Sequence, residues 1–69
     1  MKNRIREKRL AKGWSQEYLS EIVGVSRQTI ISLENGKYNA SLVLGHKLAQ
    51  AFECAIEDLF IFREMKTYD

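Results

Sequence analysis

Sixty-nine residues bound the chain to one small domain, of a size that often leans on a second copy for stability. One cysteine, Cys54, excludes an intramolecular disulfide, and one histidine, His46, leaves no Cys/His pairing at metal spacing, so neither metal nor other cofactor is expected. The net charge of +2 is small, but Met1 to Tyr38 holds eight Lys or Arg against four acidic residues, and Asn39 to Asp69 holds three against five. A basic half and an acidic half suit a domain that turns one side toward a polyanion, although small helical domains also show such imbalance by chance.

The N-terminal KNRIREKR is polar, with no apolar stretch of a signal peptide, and the longest apolar runs are far short of a membrane span. A cytoplasmic location with no membrane partner is expected. Lys2 to Lys12 reads as a helix with a basic outer face, its inner side marked by Ile5, Arg9 and Leu10. Gly13 ends it. Trp14 is expected to cap the core over the junction with the next helix; stacking on a ligand is the less economical role for it. Ser15 then caps a second helix, Gln16 to Val23, in which Leu19, Ile22 and Val23 recur at i, i+3, i+4. Gly24 breaks the pattern and supplies the left-handed turn a helix end needs. Ser26 caps a third helix from Arg27 to Glu34, with Ile30 and Leu33 inside and Val25 stapled to Ile30. Ser20 is small enough for close approach of the third helix. Helix, short Gly turn, helix is the unit that places a recognition helix in the DNA major groove.

Arg9 on the first helix and Glu34 on the third both lean inward, and a charge there is costly unless paired. A bidentate Arg9–Glu34 ion pair locking the two helices is expected; the alternative leaves each solvated at a domain edge. Asn35-Gly36 stops the third helix. Lys37 to Ala40 form a loop, and Ser41 caps a fourth helix, Leu42 to Glu53, with Leu44, Leu48, Ala51 and Phe52 inside. Gly45 within it points to a close helix approach. A short fifth helix, Ile56 to Phe60, covers the core with Ile56, Leu59 and Phe60. Phe60, Ile61 and Phe62 are too apolar for a solvated end. They either continue the core or form an edge strand that pairs across a dimer. The domain is therefore placed at residues 1–62, with 63–69 as a tail.

From about Arg4 to Phe62 the chain resembles the Cro/phage-repressor type of helix-turn-helix regulator, the XRE family. The resemblance is carried by GWSQEYLSEIVGVSRQTIISLENGKYNASL and the later KLAQAF and IEDLF. Leu19, Ser20, Val23, Gly24, Val25, Ile30 and Leu33 stand where that pattern wants them. It implies an all-α, five-helix, lambda-repressor-like domain, dimeric DNA binding and transcriptional control. The chain departs from the pattern at Ala40, often Pro; at Ala55, often Ser or Thr; and at Glu53, often Gly or Asn. These bear on stability rather than on the DNA face.

In that geometry the residues reaching base edges are Arg27, Gln28, Ile31 and Ser32. Gln28 can pair with an adenine edge and Arg27 with a guanine edge. Ile31 either touches a thymine methyl or wraps onto the core. Phosphate contacts are expected at Gln16, Ser26 and Ser41, at helix N-termini, and at Asn35, Lys37 and Tyr38 in the loop after the third helix. Lys37 has the alternative of a solvated loop lysine, and Tyr38 that of a core lid. Cys54 is expected to fill a small core position, because a redox role needs an exposed, acidic thiol. His46 is expected at the surface.

The reading that follows is a homodimeric regulator, a repressor, binding double-stranded DNA at an inverted repeat. The alternative is an antitoxin or interaction module whose apolar tail masks a partner protein and which regulates its own operon. An enzyme is not expected, since no Ser/His/Asp set, metal cluster or phosphate-cradling Gly loop is present. No small-molecule ligand is evident.

Overall fold

Serine caps and left-handed C-terminal turns cut the chain into helices. The computed structural model describes residues 2–61, and its helices are α1 (Ile5–Ala11), α2 (Gln16–Val23), α3 (Arg27–Glu34), α4 (Leu42–Phe52) and α5 (Ile56–Leu59). Ser15, Ser26 and Ser41 each accept, through Oγ, the amide three residues on: Tyr18 at 2.9 Å, Thr29 at 3.2 Å and Leu44 at 3.1 Å. Each bond satisfies a first-turn amide for which the helix itself has no acceptor. Gly24 closes α2 with φ +77°, and the Val25 amide reaches back to the Ser20 carbonyl at 3.0 Å. This Schellman closure turns the chain so that Ser26 can open α3 at once.

The apolar positions converge on one core. Leu19 and Val23 of α2 meet Ile30 and Leu33 of α3, with Leu44, Leu48, Ala49 and Phe52 of α4 beneath and Ile5, Leu59 and Phe60 closing the ends. Each such Leu or Ile contributes about 1.5–3 kcal/mol by leaving water. Ser20 is buried where α2 and α3 approach, and its hydroxyl donates to the Glu17 carbonyl at 2.7 Å. Trp14 is half-buried, stacked on Phe52 at a centroid distance of 5.5 Å and tilted against Tyr18 at 5.4 Å.

Several boundaries and faces differ from the sequence expectation. α1 starts at Ile5, not Lys2, because the preceding residues are held in an extended bridge. Asn3 pairs antiparallel with Phe60, the Arg4 amide donates to the Leu59 carbonyl at 2.7 Å, and the Ile61 amide donates to the Lys2 carbonyl at 3.0 Å. Asn3 fixes this start from both sides: its Oδ1 accepts the Ile5 amide at 3.1 Å and its Nδ2 donates to the Leu33 carbonyl at 2.7 Å. Leu10 is 56% exposed rather than inward, because it lies about 100° round the helix from Arg9. Ile22, expected inside, is 43% exposed at the rim of α2. α4 ends at Phe52 and α5 at Leu59.

Of the two readings of the apolar tail, core or dimer seam, Phe60 takes the core: its ring is buried in its own chain, not offered at a seam, and its backbone pairs with Asn3. Among the described residues that single bridge is all the β-structure present. Ile61 is half-buried, and Phe62 lies outside the described residues. Gly45 faces this segment rather than another helix: a Cβ there would sit 3.8 Å from Phe60 Cε2, an ordinary contact.

Candidate nucleic-acid interface

α3 has two unlike sides. Ile30 and Leu33 are fully buried, while Arg27 and Gln28, in its first turn, are exposed. Ile31 and Ser32 are half-buried at the margin, so Ile31 both leans on the protein and keeps part of its surface outward. The first-turn residues of α3 are therefore free to meet another surface while its back is pinned to α2.

Of the residues expected to meet phosphate, Gln16 and Asn35 line one cleft with Arg27. Asn35 and Lys37 are exposed, as is Tyr38 at 45%, which rules out its role as a core lid. Ser26 and Ser41 are exposed, but each hydroxyl already accepts its own helix amide, and Ser26 Oγ also lies 3.0 Å from Thr29 Oγ1. Gln16 is half-buried, and its Nε2 donates to Glu34 Oε1 at 3.2 Å.

That last bond belongs to a buried network. Arg9 Nε donates to Glu34 Oε2 at 2.7 Å and Arg9 Nη2 to Glu34 Oε1 at 3.2 Å, a fork that matches guanidinium to carboxylate. The third guanidinium nitrogen, Nη1, donates to the Trp14 carbonyl at 2.9 Å. The two side chains are 9% and 4% exposed, and among the described residues no buried side-chain polar atom lacks a partner. One carboxylate thus ties α1, the start of α2 and the end of α3 into one body.

Above the network lies an open cleft of about 560 Å³, with Arg6, Gln16, Arg27 and Asn35 in its lining. Arg6 was not among the residues singled out from sequence. The signal was present: Arg6 and Arg9 are three apart on α1, a spacing that puts both on one side of a helix.

The remaining chemistry-bearing residues fall elsewhere. Cys54 is half-buried beside α5, and burial holds its thiol above the usual range, partly offset by Lys8 and Lys12. His46 is exposed on α4. No helix among the described residues is long and apolar enough to cross a membrane.

Comparison with known proteins agrees with this geometry. A family model described as helix-turn-helix matches residues 5–59. An uncharacterised HTH-type transcriptional regulator of Archaeoglobus fulgidus is 56% identical over 62 residues, covering 90% of this chain and 89% of the relative. The competence pilus inhibition repressor of Acinetobacter baylyi is 33% identical over 60 residues, covering 87% of this chain and 54% of the repressor. Among solved structures, the restriction-modification controller protein C.AhdI of Aeromonas hydrophila superposes with a TM-score of 0.76 at 44% identity, covering 83% of this chain and 86% of the controller. On the matched residues, the buried back and open edge of α3, and these relatives, the chain belongs to the helix-turn-helix family of Cro and phage-repressor type, a non-enzymatic class of DNA-binding transcriptional regulators.

Proposed function

We propose that the protein is a repressor that binds an inverted-repeat operator as a homodimer, with α3 of each copy in the major groove. The observation that carries this reading is the division of α3 between a buried Ile30/Leu33 back and an exposed Arg27/Gln28 edge. Arg27 and Gln28 read guanine and adenine edges, with Ile31 and Ser32 beside them. Gln16, Asn35, Lys37 and Tyr38 and the capped helix starts at Ser26 and Ser41 hold the flanking phosphates and set register. Two copies place their reading helices about 34 Å apart on one face of the duplex. A repressor among the relatives and a controller protein among the structural neighbours support control by operator binding. The regulator names of these relatives favour a DNA-binding regulator over an antitoxin that masks a partner.

Selection of bound sites from random duplex DNA tests it. The expected result is two half-sites in inverted orientation, their centres one helical turn or a multiple apart. Repeating the selection with Gln28→Ala should relax one base pair per half-site, at a cost of about 1–3 kcal/mol. Recovery of no common site, or a single unsymmetrical one, overturns the dimeric operator reading.

A further inference from the structure

The back of α3 is held by apolar contact, which has no direction. Ile30 and Leu33 keep the helix against the core, but burial alone leaves its tilt and its rotation loosely set. Directional bonds at its far end set them, and they come from two places. Arg9 grips the Glu34 carboxylate. Asn3, ahead of α1, donates through Nδ2 to the Leu33 carbonyl at 2.7 Å, across 30 residues of sequence. That carbonyl also accepts the Gly36 amide at 3.0 Å, so the helix end is closed without Asn3. The Asn3 bond is therefore a tether between segments rather than a cap. Asn3 is itself anchored: its Oδ1 accepts the Ile5 amide at 3.1 Å, a local turn that asparagine makes readily. Its neighbours Lys2 and Arg4 are bonded to Ile61 and Leu59. Lys2, Asn3, Asn35, Gly36 and Ile61 line one cleft where these pieces meet.

We propose that Asn3 is a positioning residue for DNA recognition: its side-chain amide holds the Leu33 end of α3 so that the Arg27/Gln28 edge and the loop at residues 35–37 meet one duplex together. The inference rests on α3 being the reading helix and deepens that reading. The helix has eight residues and is about 12 Å long. Its first turn is set against α2 by the Gly24 turn and the Ser26 cap. Asn35 and Lys37, the proposed phosphate holders, follow directly after the tethered carbonyl. Over this length a slip of about 1 Å at the far end tilts the axis by roughly 5°. Phosphate contacts fix register and base contacts supply preference. A tilt between the two sets means that a rigid duplex satisfies one or the other in full. Base-edge hydrogen bonds are the more sensitive to misalignment. On a duplex with no preferred site only the phosphate set counts, and the protein can reseat itself. Asn3 acts through Leu33 and touches no base.

The test compares the full-length wild type with Asn3→Ser and Asn3→Asp, on a selected operator and on a random-sequence duplex at the same salt concentration. Both substitutes can still accept the Ile5 amide. Serine is too short to span to Leu33, and an ionised aspartate has no donor for its carbonyl. Thermal unfolding sets a temperature at which each variant is folded. Operator affinity should fall roughly tenfold per half-site, the size of one base contact made badly. Asn3→Ser should leave random-duplex affinity within about twofold of wild type. The added charge of Asn3→Asp weakens both duplexes alike, so the ratio of operator to random affinity is the readout, and a loss of stability alone does not move that ratio in folded protein. If Asn3→Ser does not fold, Asn3→Asp carries the comparison; failure of both to fold overturns the inference, because Asn3 then holds the fold rather than the pose of α3. Folded variants with an unchanged ratio overturn the role of Asn3 alone. A wild type that binds no duplex, or all duplexes alike, overturns the base-reading assignment and this inference with it.

Discussion

Arg9 and Glu34 show how one pair of charges organises three helices. Their side chains are nearly buried, and burying charge is favourable only when every donor and acceptor is met. Here Glu34 accepts from Arg9 and Gln16, and Arg9 also serves the Trp14 carbonyl. Removing one partner strands the other. Glu34→Ala should therefore cost about 3–5 kcal/mol in urea unfolding, close to the whole stability of a domain this small. Arg9→Met with Glu34→Leu, which replaces both charges by apolar groups of similar reach, should cost much less. If Glu34→Ala is as stable as the paired variant, the network contributes little and the helices are held by the core alone. That these two residues belong together could be read from the sequence, because two inward charges on neighbouring helices have few other partners. The share taken by Gln16 could not, because a polar residue at a helix start satisfies no pattern that distinguishes a buried bond from a solvated side chain. Arg6 was missed for the same reason: an exposed arginine on a basic face is indistinguishable, in sequence, from its solvated neighbours.

The helices were legible wherever their signals are local. Ser15, Ser26 and Ser41 announce starts and Gly24 announces a stop, each through bonds spanning a few residues. The start of α1 was misplaced because Asn3 bridges Phe60, far along the chain, and no periodicity encodes such a bridge. Phe60 was legible as a core side chain, but its backbone bridge to Asn3 was not, for the same cause. Two local departures have measurable consequences. Glu53 caps α4 with φ +56°, a conformation that costs a residue with a Cβ roughly 1 kcal/mol. Ala55 opens α5 with no side-chain acceptor, so only half of a capping box is present: Asp58 Oδ2 accepts the Ala55 amide at 3.1 Å, and nothing is returned from the Ala55 side chain. Glu53→Gly and Ala55→Ser should each raise stability by about 0.5–1 kcal/mol. In thermal unfolding each should add several degrees to Tm, since about 1 kcal/mol corresponds to roughly 4–8 °C in a domain of this size. They should act additively if the sites are independent. A lowered Tm for Glu53→Gly would mean that the entropy glycine adds to the unfolded chain outweighs the relieved strain.

At the scale of the whole molecule, the basic half of the sequence builds α1 to α3 and the reading edge, and the later half closes the core behind them. The proposed homodimer would need a surface that leaves the Arg27/Gln28 edge open, and the later half is the candidate for it. Phe60 cannot supply its side chain, because it is buried in its own chain. Its backbone is extended, with φ −112° and ψ 138°, and in extended backbone the next side chain turns to the opposite face. Ile61 thus remains half-buried at the edge of the bridge to the N-terminal segment. A truncation after Leu59 would remove a core residue and test folding rather than assembly, so a substitution at Ile61 is the better probe. Ile61→Lys should shift the protein in sedimentation from a dimer toward the 8.0 kDa chain mass, with thermal unfolding showing that the fold persists. It should also weaken operator binding more than binding to random duplex, because only the operator rewards two half-sites together. A dimer that survives Ile61→Lys points to the exposed apolar pair Leu42 and Val43 at the start of α4, which are 82% and 64% exposed. Leu42→Lys then tests that surface.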